Sequence, residues 1–253
     1  MADALLEVDG VSKRFGGIVA AEAIVLDVKP GELHAVIGPN GAGKTTLIGQ
    51  LAGELKPDAG AIRFAGRDIT ALPVHRRSRL GLARSFQITS LFLDVTTLDN
   101  VALAVQAHAG HSFRFWRAAR REEVLRAPAR AALERVGLAA RADVPASELS
   151  HGEHRQLEIA MALATQPRLL LLDEPMAGMG PEESTRMVAT LRDLKREVTI
   201  LLVEHDMEAV FALADRITVL VYGQVIASGS PADIRANAEV RQAYLGEQEI
   251  VHG

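Results

Sequence analysis

The chain has 253 residues, 48% of them hydrophobic and 24% charged, which fits one large domain or a core domain with a subdomain and excludes a disordered chain. It contains no cysteine, so disulfides, thiolate nucleophiles and thiolate-bound metals are excluded. With 28 basic against 32 acidic residues the formal net charge is −4, which supplies no global attraction for nucleic acid.

The first segment reads as strands. Ala4–Asp9 and Ala23–Lys29 are short apolar runs, and Pro30-Gly31 is a turn signal before Leu33-His34-Ala35-Val36-Ile37. The first twelve residues carry Asp3 and Glu7 but no Lys or Arg, so no secretory signal is expected. After Ile37 comes Gly38-Pro39-Asn40-Gly41-Ala42-Gly43-Lys44-Thr45, which fits G-x-x-x-x-G-K-[ST] at every fixed position. A helix should follow from Thr45, with Leu47, Ile48 and Leu51 on one face. Glycines let backbone N–H groups converge on phosphate oxygens, and the helix N-terminus adds partial positive charge. Lys44 can neutralise terminal phosphates, the Thr45 hydroxyl can ligate Mg²⁺, and Thr46 adjoins the site. This loop points to a nucleoside triphosphate.

Ala61–Phe64 predicts a further strand and Pro73–Leu80 a short helix. From Phe86 to Ala164 the pattern is helical. Eight arginines lie between Ser112 and Arg141, against Glu122, Glu123 and Glu134, which predicts a basic helical surface. Its default reading is a solvated face; the functional one is contact with anionic lipid headgroups or acidic loops of a partner protein. Leu149-Ser150-His151-Gly152-Glu153 opens a helix, and Ser150 with Glu153 forms an S-x-x-E capping box. Capping does not require Gly152, and a Ser hydroxyl with a Gly backbone at a helix start also makes an anion site. His151 and His154 lack a third metal ligand, and His34 reads as incidental.

Alternation of strands and helices then returns. Leu169–Leu172 is a buried strand ending in Asp173-Glu174. Adjacent strand side chains point opposite ways, so the two acids should do different jobs: Asp173 in the Mg²⁺ shell, Glu174 polarising the attacking water. Taken alone they would be ordinary surface carboxylates. Pro181–Lys195 and Met207–Ala214 read as helices, and Val198–Val203, Ile217–Val221 and Gln224–Ala227 as strands. The longest stretch without Asp, Glu, Lys or Arg runs 16 residues, Ile217 to Ala232, and falls short of the ~20 apolar residues of a spanning helix. Ser230-Pro231-Ala232-Asp233 opens a last helix.

Together these residues resemble the ATP-binding subunits of ABC transporters. The match comprises the Gly38–Thr45 loop, Gln87 in Arg84-Ser85-Phe86-Gln87, the Leu149–Glu153 signature, Asp173-Glu174, His205 in Val203-Glu204-His205-Asp206, and Phe15 in Lys13-Arg14-Phe15-Gly16-Gly17. The resemblance implies an α/β fold over residues 1–253. A P-loop NTPase core with a mostly parallel sheet would occupy 1–86 and 165–253, with an antiparallel N-terminal β subdomain. An inserted helical subdomain at about 87–164 would carry the signature.

The resemblance also implies a mechanism with ATP and Mg²⁺. Two such subunits sandwich two ATP molecules. Ser150, Gly152 and Glu153 would face the nucleotide held by the other chain, and Phe15 would stack on adenine. Glu174 would be the general base, His205 would link the γ-phosphate to the water, and Gln87 would contact Mg²⁺ and follow the transport subunit. Implied partners are transmembrane permeases, a second copy or a paired ATPase subunit, and indirectly a solute-binding protein, at the cytoplasmic face of the inner membrane. Nucleic acid is not among them.

Within the family the resemblance is nearest to importers of branched-chain and other hydrophobic amino acids. It rests on Gly81-Leu82-Ala83-Arg84-Ser85-Phe86-Gln87, Leu157-Glu158-Ile159-Ala160, Glu204-His205-Asp206-Met207 and Tyr244-Leu245-Gly246. The alternatives are a lipopolysaccharide-export-type ATPase and a soluble ABC ATPase outside transport. Phe92, Val95 and Leu98 are candidates for the groove that receives a permease helix; Phe113, Phe115 and Trp116 read as subdomain core. Departures from the family pattern are His151 in place of glycine, Glu153 in place of glutamine, and Gly180 in place of Asp or Asn. The last removes a cross-dimer contact, which suggests an unlike paired subunit.

Overall fold

The computed structural model describes residues 4–85, 91–109 and 123–243. Gln87, the Phe113–Trp116 aromatics, Arg114 to Arg121 and Tyr244-Leu245-Gly246 lie outside them. The chain forms two compact units: Met1–Arg77 with Leu171–Glu174 and Thr199–Gly253, and Ser78–Leu170 with Pro175–Val198.

In the first unit, β1 (Leu6–Phe15), β2 (Ile18–Val28), β4 (Ala59–Phe64) and β5 (Arg67–Asp68) make a sheet of order β2-β1-β4-β5. Its pairings are antiparallel throughout. β1 and β2 run several residues beyond the apolar runs read from sequence, because only part of each strand faces the core and the rest is polar. The second sheet contains β3 (Leu33–Ile37), β8 (Thr199–Val203), β9 (Arg216–Val221) and β10 (Gln224–Gly229), ordered β10-β9-β3-β8 and continued by the end of β7 (Leu169–Asp173). β3 is parallel to both β8 and β9, and β10 is antiparallel. Both β3 and β8 are buried at every residue, as near-continuous apolar strands covered on two faces should be. Helices α1 (Lys44–Ala52), α7 (Met207–Leu213) and α8 (Pro231–Ala236) also belong to this unit, and α2 (Val74–Arg79) begins in it.

Two polar anchors hold these elements. Arg77 is almost fully buried, and its guanidinium is held by backbone carbonyls. Its guanidinium donates to Gln50 O (2.7 Å) and Leu51 O (2.8 Å) at the C-terminus of α1, and to Leu72 O (2.8 Å) and Thr70 O (3.0 Å). A cation there meets both the orphan carbonyls and the negative end of the helix dipole. Burial nevertheless pulls its pKa down to about 10.

The second anchor sits where β3 and β9 begin. Arg216 donates to both carboxylate oxygens of Asp27 (2.9 Å each) and to Glu32 Oε1 (2.8 Å). His34 Nδ1 lies 2.9 Å from Glu32 Oε1, and its Nε2 lies 2.8 Å from Thr218 Oγ1. The supposedly incidental His34 is therefore a fully buried core histidine with polar partners on both sides. Burial raises the Glu32 pKa, but His34, Arg216 and the Lys29 N–H outweigh it and hold the carboxyl at about 2.

In the second unit, α3 (Thr97–Ala109), α4 (Glu123–Arg135) and α5 (His151–Leu163) pack on one another, and α6 (Pro181–Leu194) joins α5. One-turn 3₁₀ helices at Ala139–Arg141 and Ala146–Glu148 lead into α5. The short strand β6 (Leu82–Arg84) is absent from the sequence reading. It is tied to the start of β7 by the N–H groups of Arg168 (2.7 Å) and Leu169 (3.0 Å), both donating to Gly81 O. The four described arginines of the basic stretch each meet an acid: Arg126 with Asp99, Arg130 with Glu123, Arg135 with Glu197 and Arg141 with Glu153. Counting only neighbouring acids missed Asp99, Glu153 and Glu197, which the fold brings in.

Replacing Arg77 with Met should strip four carbonyls of their donor and destabilise the chain by about 2–4 kcal/mol, read from the denaturant midpoint. For Glu32 the folded pKa lies below its ordinary 4.5, so its stabilisation is present above that value and is lost as pH falls toward about 2. Glu32→Gln should accordingly flatten the stability profile across that acid window in pH-dependent urea titrations.

Candidate nucleotide site

The Gly38–Thr45 loop leaves β3 and enters α1, so it lies at the C-terminal end of a buried strand and the N-terminal end of a helix. Two of its glycines are imposed by close backbone neighbours. A β-carbon on Gly38 would fall 2.0 Å from Leu220 O, and one on Gly43 would fall 2.2 Å from Ala20 O. Gly43 also has φ 101°, in the left-handed region. The Gly223 N–H donates to Ala42 O (2.9 Å), so the β9–β10 turn fastens the loop from the other strand pair.

Lys44 is buried and folded back over the loop, donating from Nζ to Gly38 O (2.6 Å) and Pro39 O (3.1 Å). Asn40, Gly41 and Thr45 remain exposed. No side chain caps the start of α1 at Gly43. An uncapped helix start, an ammonium and a backbone cradle too tight for β-carbons together fit a polyphosphate.

Glu174 follows β7, and His205 follows β8. The Glu174 N–H donates to Val203 O (2.9 Å), which ties the two strand ends together. Expected alternation along the strand does not place Glu174: β7 ends at Asp173, and Glu174 has turned into the left-handed region at φ 47°. A left-handed backbone is rare for a non-glycine residue and is concentrated at functional sites.

His205 is largely exposed, with Nδ1 3.6 Å from Glu204 Oε2. Glu204, to which the sequence reading gave no role, is fully buried, and its Oε2 accepts from the N–H groups of His205 (2.8 Å) and Asp206 (3.3 Å). Asp206 caps α7 through Ala209 N–H (3.1 Å). An acid at the end of an apolar strand run was the available signal for Glu204.

Phe15 ends β1 and is about half exposed; Lys13 Nζ lies 5.5 Å from its ring centroid. The hairpin that carries Phe15 continues into β2, whose Ala20 presses on Gly43. The aromatic thus stands on the same support as the phosphate loop.

The signature belongs to the second unit. Ser150 caps α5: its Oγ accepts from Glu153 N–H (3.2 Å), and Ser150 N–H donates to Glu153 Oε2 (2.8 Å). Arg141 Nε holds the other Glu153 oxygen at 3.1 Å. His151 Nε2 is 3.1 Å from Ala177 O and His154 Nε2 is 2.7 Å from Ala146 O, so both imidazoles are spent on backbone carbonyls. Ser150 Oγ also donates to Glu183 Oε1 (3.2 Å). Glu183 carried no signal in sequence beyond its position in the first turn of α6. Among the docking candidates, Phe92 is exposed, Val95 is half-buried, and Leu98 is core. Asn100 explains the exposed turn: it accepts from Phe92 N–H (2.9 Å) and donates to Phe92 O (3.0 Å) and Thr96 O (3.1 Å). Among the described residues no group of His, Cys, Asp and Glu forms a metal cluster.

A protein-family model described as ABC transporter matches residues 21–177, and one described as branched-chain amino acid ATP-binding cassette transporter matches residues 224–250. The high-affinity branched-chain amino acid transport ATP-binding protein BraF of Pseudomonas aeruginosa is 41% identical, covering 98% of this chain and 100% of its own. Its counterpart LivG of Escherichia coli is 39% identical, with the same coverage. Among solved structures, the ADP conformation of MJ1267, an ATP-binding cassette of an ABC transporter, superposes with a TM-score of 0.85. It is 30% identical, and the match covers 96% of this chain and 99% of that one.

Because Ala20 O leaves no room beside Gly43, Gly43→Ala should cost roughly 1–3 kcal/mol of stability. It should also weaken binding of a fluorescent nucleotide analogue in equilibrium titration.

Proposed function

This chain belongs to the ABC transporter family, and from that premise we propose that it is the ATP-hydrolysing subunit of a membrane importer of branched-chain or other hydrophobic amino acids. One observation carries the catalytic reading. Lys44 closes the loop that leaves β3, Glu174 directly follows β7, and His205 lies in the turn after β8, so three different chemistries come from the C-terminal ends of strands of one sheet. That edge is where open α/β sheets take their ligands. The identity of the solute class is supported by the C-terminal match at 224–250 and by the transport proteins named above.

In this reading Gly38 to Thr46 wrap the phosphates with backbone N–H groups, and Lys44 neutralises the terminal oxygens. Phe15 stacks on the adenine. Thr45, Asp173 and Gln87 would hold Mg²⁺, which would offset charge on the phosphate oxygens. Glu174 accepts a proton from the attacking water, and the exposed imidazole of His205 orients it against the γ-phosphate. The buried Glu204 fixes the turn that presents His205.

Ser150, Gly152 and Glu153 complete the nucleotide site of a second ATPase subunit. A paired, unlike subunit fits Gly180, whose position offers no side chain for a cross-dimer contact. Permease subunits dock on the exposed Phe92 turn, which places the chain peripherally at the cytoplasmic membrane face. A solute-binding protein delivers the amino acid.

Lys44→Ala should abolish ATP hydrolysis; turnover at the wild-type rate in a phosphate-release assay refutes the assigned site. Glu174→Gln should keep ATP binding and slow hydrolysis on the order of 10²–10⁴-fold, and single-turnover measurements on the purified transporter check both.

A further inference from the structure

We propose that Glu183 is a built-in occupant of the signature's anion position, and that the γ-phosphate of the partner-held ATP must displace it for the sandwich to close. The inference rests on the sandwich reading above and adds a regulator to it.

Ser150 Oγ has one proton. It accepts from Glu153 N–H and spends that proton on Glu183 Oε1 at 3.2 Å. The other oxygen of the same carboxylate lies 3.4 Å from the Gly180 N–H, so Glu183 bridges the loop before α6 and the start of α5. A β-carbon on Gly152 would come within 2.8 Å of Glu183 Oε1, which puts this oxygen directly over the first turn of α5. An anion is favoured there by the helix dipole. Beside it opens a cavity of about 460 Å³, lined among others by Gln156, Met179, Arg186 and Met187. Of the nearby cations, Arg141 is paired with Glu153, and Arg186, which lines the cavity, lies 3.9 Å from Glu182.

A phosphate oxygen reaching Ser150 needs the same hydroxyl proton and the same helix start. Two anions cannot share them, so the carboxylate has to swing into the cavity as the sandwich closes. Glu183 then sets the ATP concentration at which closure occurs. It acts through Ser150, as a positioning residue.

The test is ATP hydrolysis by the purified transporter complex across ATP concentrations. Glu183→Gln keeps the side-chain shape and a capping amide oxygen but removes the charge. Half-saturating ATP should fall roughly fivefold, with the change on half-saturation rather than on the maximal rate. Glu183→Asp, too short to reach Ser150, should also lower it. Half-saturation that is unchanged or raised in both variants overturns the inference. A purely structural role shows instead as a lowered unfolding midpoint with raised half-saturation. Ser150→Ala separates the two levels: wild-type hydrolysis in that variant refutes the sandwich and this inference with it. An impaired Ser150→Ala alongside indifferent Glu183 variants refutes the inference alone.

Discussion

The phosphate loop exists in its present shape because two carbonyls stand where β-carbons would be. Leu220 O and Ala20 O approach Gly38 and Gly43 so closely that neither position admits a side chain. The neighbours come from different sheets, β9 on one side and β2 on the other, and the Gly223 N–H adds a third fastening at Ala42 O. Lys44 then closes over the loop from within. A cradle held this way does not have to be organised by its ligand, which is the condition for electrostatic binding to be strong.

The mostly parallel sheet of the first unit divides its two ends between stability and chemistry. Where β3 and β9 begin, Asp27, Glu32, Arg216 and His34 form a polar network that is compensated from within. Where β3, β7 and β8 end lie the phosphate loop, Glu174 in its left-handed turn, and exposed His205. Strand direction explains the asymmetry. Crossover helices start at the C-terminal edge; Asp206 caps the one after β8, but α1 starts uncapped at Gly43 and leaves its first N–H groups to an external anion.

Much of this was legible in the residues themselves. The loop, the signature and the acids after β7 each carry a local spacing that a backbone can read without long-range help, and the capping boxes at Ser150 and Ser230 formed as their spacing requires. What was not legible involved partners distant in sequence. His34 looked incidental because Thr218 lies far along the chain. The arginines of the helical segment looked unpaired because Asp99, Glu153 and Glu197 are brought in by packing. Leu98 looked like a docking residue because its helix face is set by α4 and α5.

Sequence alone determined that this chain binds a nucleoside triphosphate, carries both a phosphate loop and a signature, and shares its pattern with transport ATPases. Those facts reside in short windows whose chemistry is local. Only the tertiary structure decided that Glu174 leaves its strand in a left-handed turn, that buried Glu204 braces His205, that Arg77 closes the far end of α1, and that Glu183 lies on the signature serine. Each of those depends on which atoms meet across long stretches of chain, and contact at that range is settled by packing and hydrogen-bond geometry rather than by spacing along the sequence.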